Sequence, residues 1–300
     1  MSEAALVIHG GAGRAMTDEG REEAVKEALN RVGDILWADL EEGAPALEVA
    51  TKGCELLEDC EHFNAGKGSA VQVDGSIRMS ASLMDGARRS FSGVINVGEV
   101  ANPIEMAAHL QTSRDRVLDG QGGERLARVM GLEVVDNMVE RRLKQWWEAR
   151  RKGETVEQAA VVDEEAGTDE GMGTVGVVVM DLEGRLSAST STGGRGFEKP
   201  GRVSDSATVA GNYATDGAAV SCTGIGEDIV DEALAARVVV LCEGGMGIEE
   251  ALRTSVEGAK QRDRRLAAIG VDQKGRVAWA KSTELLIAQA RRPGVCRWAF

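Results

Sequence analysis

Apolar residues recur along this chain in two rhythms. A short apolar run, Ala4-Ala5-Leu6-Val7-Ile8, breaks into glycines at Gly10 and predicts a strand within residues 4–13. From 20 to 40 the positions Ala24, Ala28, Val32, Ile35 and Leu36 fall at helical spacing. Residues 45–59 predict a second amphipathic helix, with Ala46, Val49 and Cys54 on its buried face. A glycine-broken loop, 64–69, leads into residues 69–86, which predict a hairpin turning at Asp74-Gly75. The run 90–100 reads as a strand. Helices are predicted over 103–113, where Pro103 suits a first turn, over 122–131 and over 135–152.

Periodicity is lost from about 152 to 173, a polar, acidic and glycine-tipped stretch that reads as a mobile linker. Rhythm returns in "TVGVVVMD" (174–181), the turn "LEG" and "RLSASTST" (185–192), a hairpin by pattern. Residues 218–242 read as strand, glycine turn and long helix, 248–262 as a helix, and 266–281 as a last hairpin turning at "DQKG". Helices lead, hairpins intervene, and βαβ alternation is incomplete. That order predicts antiparallel sheets covered by helices, an α+β layered fold, rather than a doubly wound parallel sheet.

Composition narrows the function classes. The chain has 300 residues, enough for one large domain or two small ones, and a formal charge of −14. A surface this acidic repels nucleic acid and anionic membranes. The N-terminal apolar run lacks a basic flank, and no stretch approaches a membrane span, so a cytoplasmic protein is expected. Five scattered cysteines without a C-x-x-C pair read as reduced structural thiols. Three histidines, His9, His62 and His109, leave little for a histidine triad or a histidine-rich metal site.

The familiar motifs fail one after another. "GGAGRA" and "TGIGEDI" begin like a dinucleotide fingerprint, and both lack its last glycine. "FNAGKGS" resembles a phosphate-loop tail but has Glu61 where the first glycine belongs. No G-x-S-x-G elbow is present. The acidic run "DEEAGTDE" lacks the alternation of a calcium loop, and Trp146-Trp147 reads as half-buried packing. Thr190, Ser191 and Thr192 are ordinary strand residues by propensity.

Thr174 stands apart because an acidic linker ends in Gly-Met-Gly directly before it. A cut between Gly173 and Thr174 would give that threonine a free α-amine, of pKa about 8, beside its own hydroxyl. One residue would then supply nucleophile and base, which suits a hydrolase with few histidines.

Six blocks in order make the chain resemble the plant-type L-asparaginase / isoaspartyl peptidase family of N-terminal-nucleophile hydrolases. They are "IHGGAG" (8–13), "FNAGKGS" (63–69), "SLMDG" (82–86), "GTVGVVVMDLEGRLSASTSTGG" (173–194), "PGRVSDS" (200–206) and "CTGIGE" (222–227). The resemblance implies a four-layer αββα sandwich over 1–300, with two antiparallel sheets between helix layers. It also implies self-cleavage into an α fragment, 1–173, and a β fragment, 174–300, that stay together.

Residue by residue, the resemblance makes Thr174 the nucleophile, after cleavage between Gly173 and Thr174, and Thr192 the hydroxyl that orients it. Arg202 would anchor the substrate α-carboxylate and Asp205 the α-ammonium, with Asn64 beside the new amine. Thr223 and Gly224 would form the oxyanion hole. No organic cofactor is implied. The segment 56–67 resembles the family's sodium loop, whose backbone carbonyls would be those of Leu57, Glu58, Cys60, Phe63, Ala65 and Lys67. The implied partners are a small-molecule substrate, asparagine or a β-aspartyl dipeptide, and a second copy, giving a dimer of αβ heterodimers.

Three departures from the family pattern stand out. Ser80 occupies a position usually held by aspartate, Ser204 one usually held by glycine, and "GRGFEK" (194–199) differs between Thr192 and Arg202. They leave open a glycosylasparaginase-like enzyme acting on sugar-linked asparagine. A non-catalytic α/β protein holding a phosphate in its glycine turns is the alternative from another class.

Overall fold

The computed structural model of the chain describes residues 2–16, 19–151 and 173–299. The linker expected over 152–173 therefore lies, apart from Gly173, outside the described residues. Twelve strands appear among the described residues: β1 (Ala5–Gly13), β2 (Met79–Asp85), β3 (Ser90–Val97), β4 (Val117–Leu118), β5 (Val175–Met180), β6 (Leu186–Thr192), β7 (Asn212–Ala214), β8 (Ala218–Gly224), β9 (Leu266–Asp272), β10 (Val277–Lys281), β11 (Leu285–Arg292) and β12 (Val295–Ala299). Eight form one sheet in the order β12-β11-β1-β5-β6-β2-β3-β4, and four form a second, β10-β9-β8-β7. Every pairing is antiparallel except β3 with β4.

Strand alternation builds the layers. On β1 and β5, Leu6, Ile8, Val177 and Val179 turn to one side and pack under the helices Glu19–Glu41, Ala46–Glu58 and Pro103–Leu110. Their neighbours Ala5, Val7, Val178 and Met180 turn the other way and meet Ala219, Ala267, Ile269 and Val271 of the second sheet. The outer face of that sheet, with Ala218, Val220 and Cys222, packs under the helices Leu234–Glu243 and Ile248–Lys260. The order is helices, sheet, sheet, helices, the expected αββα sandwich. Burial on both faces explains why β1 and β5 read as unbroken apolar runs. Each buried valine or leucine adds about 1.5–3 kcal/mol.

Several elements differ from the sequence reading. Asp74 and Gly75 do turn, with Gly75 N–H donating to Gln72 O at 3.0 Å, but they do not close a hairpin. The arm before them is held by another segment, through Phe197 N–H to Val71 O and Val73 N–H to Glu198 O. The true hairpin joins β2 to β3 around residues 86–89. The helix expected from 135 begins at Glu140, because Asp136 and Asn137 spend their side chains on Met138 N–H and Val100 O. The long helix after β8 breaks at Ala233, whose φ is +47°. There Ala235 and Ala236 donate to the carbonyls of Ala210 and Val209 instead of continuing one spiral. On the first helix Val25 and Leu29 are buried, whereas Ile35 is 41% exposed. The hairpin 266–281 is not the last: β11 and β12 follow, and β11 pairs with β1 in the middle of the large sheet.

Candidate active site

Thr174 stands immediately before β5 and is buried. Val175 pairs with Ser191, so the antiparallel register carries Thr174 to Thr192 at the end of β6. Both threonines share strand parity with Val178 and Ala188 and so belong to the face between the sheets. The Thr174 Oγ1 lies 3.4 Å from Ser206 Oγ. Thr192 Oγ1 accepts the Gly194 N–H at 3.1 Å, which fixes the turn that leaves β6.

The second sheet brings the other half. Thr223 is fully buried near the end of β8, and its hydroxyl has no partner among the described residues. It lies 3.2 Å from where a Cβ on Gly173 would stand, so the unpaired donor faces the Gly173–Thr174 junction. A buried, unpaired hydroxyl costs about 1–3 kcal/mol, a cost that a developing oxyanion would relieve. Gly224 follows with φ +127°, a conformation open to glycine, and a Cβ there would press on Arg265 O at 2.7 Å.

Arg202 and Asp205 sit on the segment between β6 and β7. Arg202 is held at one edge by Glu227, through Nε to Oε1 at 2.8 Å and Nη2 to Oε2 at 3.0 Å. Asp205 is buried, with Oδ1 accepting from the Ser204 hydroxyl at 3.2 Å and Oδ2 without a partner among the described residues. Burial raises its pKa to about 6, against the pull of the Arg202 charge. Gly226 closes the corner between them. A Cβ there would stand 2.5 Å from Arg202 Nη2 and 2.7 Å from Asp205 Oδ1. A cation and an anion thus both close on residue 226, which has no room for even a methyl group.

Asn64 takes a bracing position. Its Nδ2 donates to Gly194 O at 2.6 Å, and its Oδ1 accepts from Ala70 N–H at 2.8 Å. The Gly193 N–H donates to Asn64 O at 2.9 Å. The Nδ2 end and the Asn64 backbone carbonyl thus hold the turn after Thr192, while the Oδ1 end holds Ala70.

The loop 57–67 carries the six carbonyls of the sodium expectation. Gly66 and Gly68 have φ +50° and +133°, and a Cβ on Gly68 would meet the Glu61 and Phe63 carbonyl oxygens at 2.6 Å each. The Glu61 and Phe63 carbonyl oxygens thus both close on Gly68, and of these two only Phe63 is among the six expected carbonyls, an oxygen type that suits a hard cation. Among the six positions, Leu57, Glu58 and Cys60 carbonyls already accept from Cys60, Lys67 and Phe63 N–H, each keeping a second lone pair. Burial holds the Glu58 carboxyl well above the usual carboxylate range.

Three residues at the site carry no role in the sequence reading: Ser206, Glu227 and Gly226. All stand inside quoted blocks, "PGRVSDS" and "CTGIGE", and the signal was adjacency to Asp205 and to the "TG" pair. Ser204, the departure from glycine, places its hydroxyl between Asp205 Oδ1 and Ser206 Oγ, at 3.2 and 3.3 Å.

Comparison with known proteins follows the same lines. A family model described as asparaginase matches residues 2–296. A Nostoc protein named isoaspartyl peptidase/L-asparaginase is 47% identical over 286 residues, covering 94% of this chain and 90% of its own length. An Escherichia coli isoaspartyl peptidase is 37% identical over 298 residues, covering 95% and 91%. A plant-type L-asparaginase of Thermococcus kodakarensis is 34% identical over 293 residues, covering 94% of both.

Proposed function

The chain belongs to the asparaginase family, and from that premise we propose that it hydrolyses L-asparagine and β-aspartyl (isoaspartyl) peptides to release L-aspartate. The observation that carries the reading is the juxtaposition of the Arg202 guanidinium and the buried Asp205 carboxylate, which both close on Gly226. Such a pair of charges suits an α-carboxylate and an α-ammonium, the head group of a free aspartyl unit. Glu227 grips the Nε edge of Arg202 and leaves the Nη1 side of the fork for the substrate.

Thr174 is the nucleophile in this reading. Before maturation its hydroxyl attacks the Gly173 carbonyl, the peptide nitrogen leaves as the new α-amine, and water hydrolyses the ester. The products are the fragments 1–173 and 174–300. In turnover the freed amine takes the Thr174 proton as Oγ1 attacks the side-chain carbonyl of the substrate. Ammonia or an amino acid leaves, and water releases aspartate. Thr223 and Gly224 supply the oxyanion donors, and Thr192 supports the nucleophile from the next strand. A sodium ion held by the carbonyls of the 57–67 loop would fix the helix end that packs on β5 and β6. The family resemblance supports a pair of two-fragment molecules as the working form. Among the described residues no helix is long and apolar enough to cross a membrane.

A panel of asparagine, a β-aspartyl dipeptide and a glycosyl-asparagine tests the substrate class. Release of aspartate from the first two is expected, and hydrolysis of the sugar conjugate alone would overturn the reading. The Asp205 carboxylate adds a pH signature. Its pKa is raised to about 6, so below that pH it is neutral and cannot hold an ammonium. Competitive inhibition by L-aspartate is therefore expected to be flat above about pH 7 and to weaken about tenfold per unit below about pH 6. Inhibition constants that stay level down to about pH 5 would remove Asp205 from the head-group site.

A further inference from the structure

The layer between the sheets changes character in steps as it approaches the site. Val178, Ala188 and Ala219 form an apolar row. Two residues further along the same strands stand Gly176, Thr190 and Ser221, and two further stand Thr174, Thr192 and Thr223. Side chains alternate along a strand, so each member of the middle row lies directly beneath a member of the catalytic row. The middle row is polar and fully enclosed. Thr190 Oγ1 lies 2.7 Å from Ser221 Oγ, and Ser221 Oγ lies 3.0 Å from His9 Nε2. All three residues have no solvent exposure.

His9 reaches this row from β1, where it pairs with Gly176. The glycine is a requirement: a Cβ at 176 would collide with both Ser221 Oγ and His9 Nε2. The imidazole fills the space that the glycine leaves. Its ring also approaches the Thr174 backbone, and burial holds it neutral, with a pKa pushed down to about 3. The row continues sideways, where Asn212 Nδ2 donates to Ser82 Oγ at 2.9 Å and Ser82 donates to the Ser206 carbonyl. Buried polar groups in an otherwise apolar interface are costly unless paired, and the paired Thr190, Ser221 and His9 Nε2 favour one register, while His9 Nδ1 has no partner among the described residues.

We propose that His9, Ser221 and Thr190 are positioning residues, a hydroxyl–imidazole cross-link that sets the separation between Thr174 on the large sheet and Thr223 on the small one. The inference rests on the site reading above. The nucleophile and the oxyanion hydroxyl come from different sheets, and apolar packing alone lets two sheets slide. The cross-link removes that freedom directly beneath the reacting groups, whereas Arg202 and Asp205 hang from a separate segment.

The test separates hydroxyl from volume at one position. Thr190→Val keeps the shape and loses the hydroxyl, and Thr190→Ser does the reverse. In the full-length protein, Thr190→Val and Ser221→Ala are expected to lower kcat on a β-aspartyl dipeptide by about 10–100-fold, with KM within about threefold. Thr190→Ser should keep kcat within about threefold of the unaltered enzyme. The chain has three histidines, so 15N-histidine NMR resolves His9, whose resonance should move in Thr190→Val and Ser221→Ala but not in Thr190→Ser. Equal kcat in Thr190→Val and the unaltered protein, equal impairment of Val and Ser variants, or an unmoved His9 resonance would each overturn the proposal. An unaltered protein inactive on every aspartyl amide would sink the functional reading instead, and the His9 resonance would still decide whether the cross-link exists.

Discussion

Thr174→Ala is expected to leave one uncut chain and to lower amide hydrolysis by about four orders of magnitude or more. The expectation is large because one oxygen serves twice. Without Oγ1 nothing attacks the Gly173 carbonyl, so the α-amine that would act as base is never freed. Without Oγ1 nothing attacks the substrate either. Thr174→Ser keeps the oxygen and loses the methyl group, so it should still cut itself, more slowly, and retain measurable turnover. Intact-mass measurement follows the first effect through the appearance of a fragment beginning at residue 174, and release of aspartate follows the second. An alanine variant that is cut at residue 174, or that retains activity, would place the nucleophile elsewhere. The structure fits the demand on this residue: Thr174 is buried beside Ser206, and the Gly173 position before it faces the unpaired Thr223 hydroxyl.

Gly226→Ala is expected to lower kcat/KM by about 100-fold or more, mostly through KM, while leaving self-cleavage intact. A methyl group there would stand 2.5 Å from Arg202 Nη2 and 2.7 Å from Asp205 Oδ1, well inside contact distance. Asp205 has a short buried side chain and little room to retreat. Arg202 is fixed at its Nε edge by Glu227, so its outer nitrogens move only if that pair opens. The methyl therefore pushes the guanidinium or the carboxylate out of the position from which it would grip the head group. Self-cleavage needs no head group, so the cut at residue 173 is a built-in control. Steady-state kinetics with a β-aspartyl dipeptide separates the cases. A variant with unchanged KM would show that the substrate does not enter between the guanidinium and the carboxylate.

The site was legible to different depths at different residues. Thr174 announced itself by contrast, a strand-forming threonine after a polar, aperiodic stretch, and its chemistry follows from what a free N-terminus does to a neighbouring hydroxyl. Arg202, Asp205, Thr223 and Gly224 entered through blocks of residues in a fixed order, because no local pattern assigns them a role. Ser206 and Glu227 stood within those same blocks unread. A hydroxyl and a carboxylate are common on any surface, and what distinguishes these two is contact with Thr174 and with Arg202. His9 and Ser221, 212 positions apart, share a hydrogen bond that no spacing rule could have joined.

Elements followed the same division. The hairpin of β5 and β6 was visible because its period of two, its turn and its pairing partner are all local. The hairpin expected at Asp74-Gly75 was misread because the turn is local and the partner is not: Val71 and Val73 bond to residues 197 and 198. The break at Ala233 has no sequence marker, since it arises from bonds to Val209 and Ala210 on another segment.

Alternation and helical spacing, which act over a few residues, determined from sequence alone that this chain makes antiparallel sheets beneath amphipathic helices and that a threonine heads a central strand. Only the tertiary structure decided which rows of side chains face one another. Packing two sheets face to face brings Thr174 and Thr223 together from strands 49 positions apart. It also leaves Asp205 and Thr223 with buried oxygens that have no partner among the described residues. The physical reason is that backbone preference is settled by neighbours in the chain, whereas burial, desolvation and the pairing of polar groups are settled by neighbours in space.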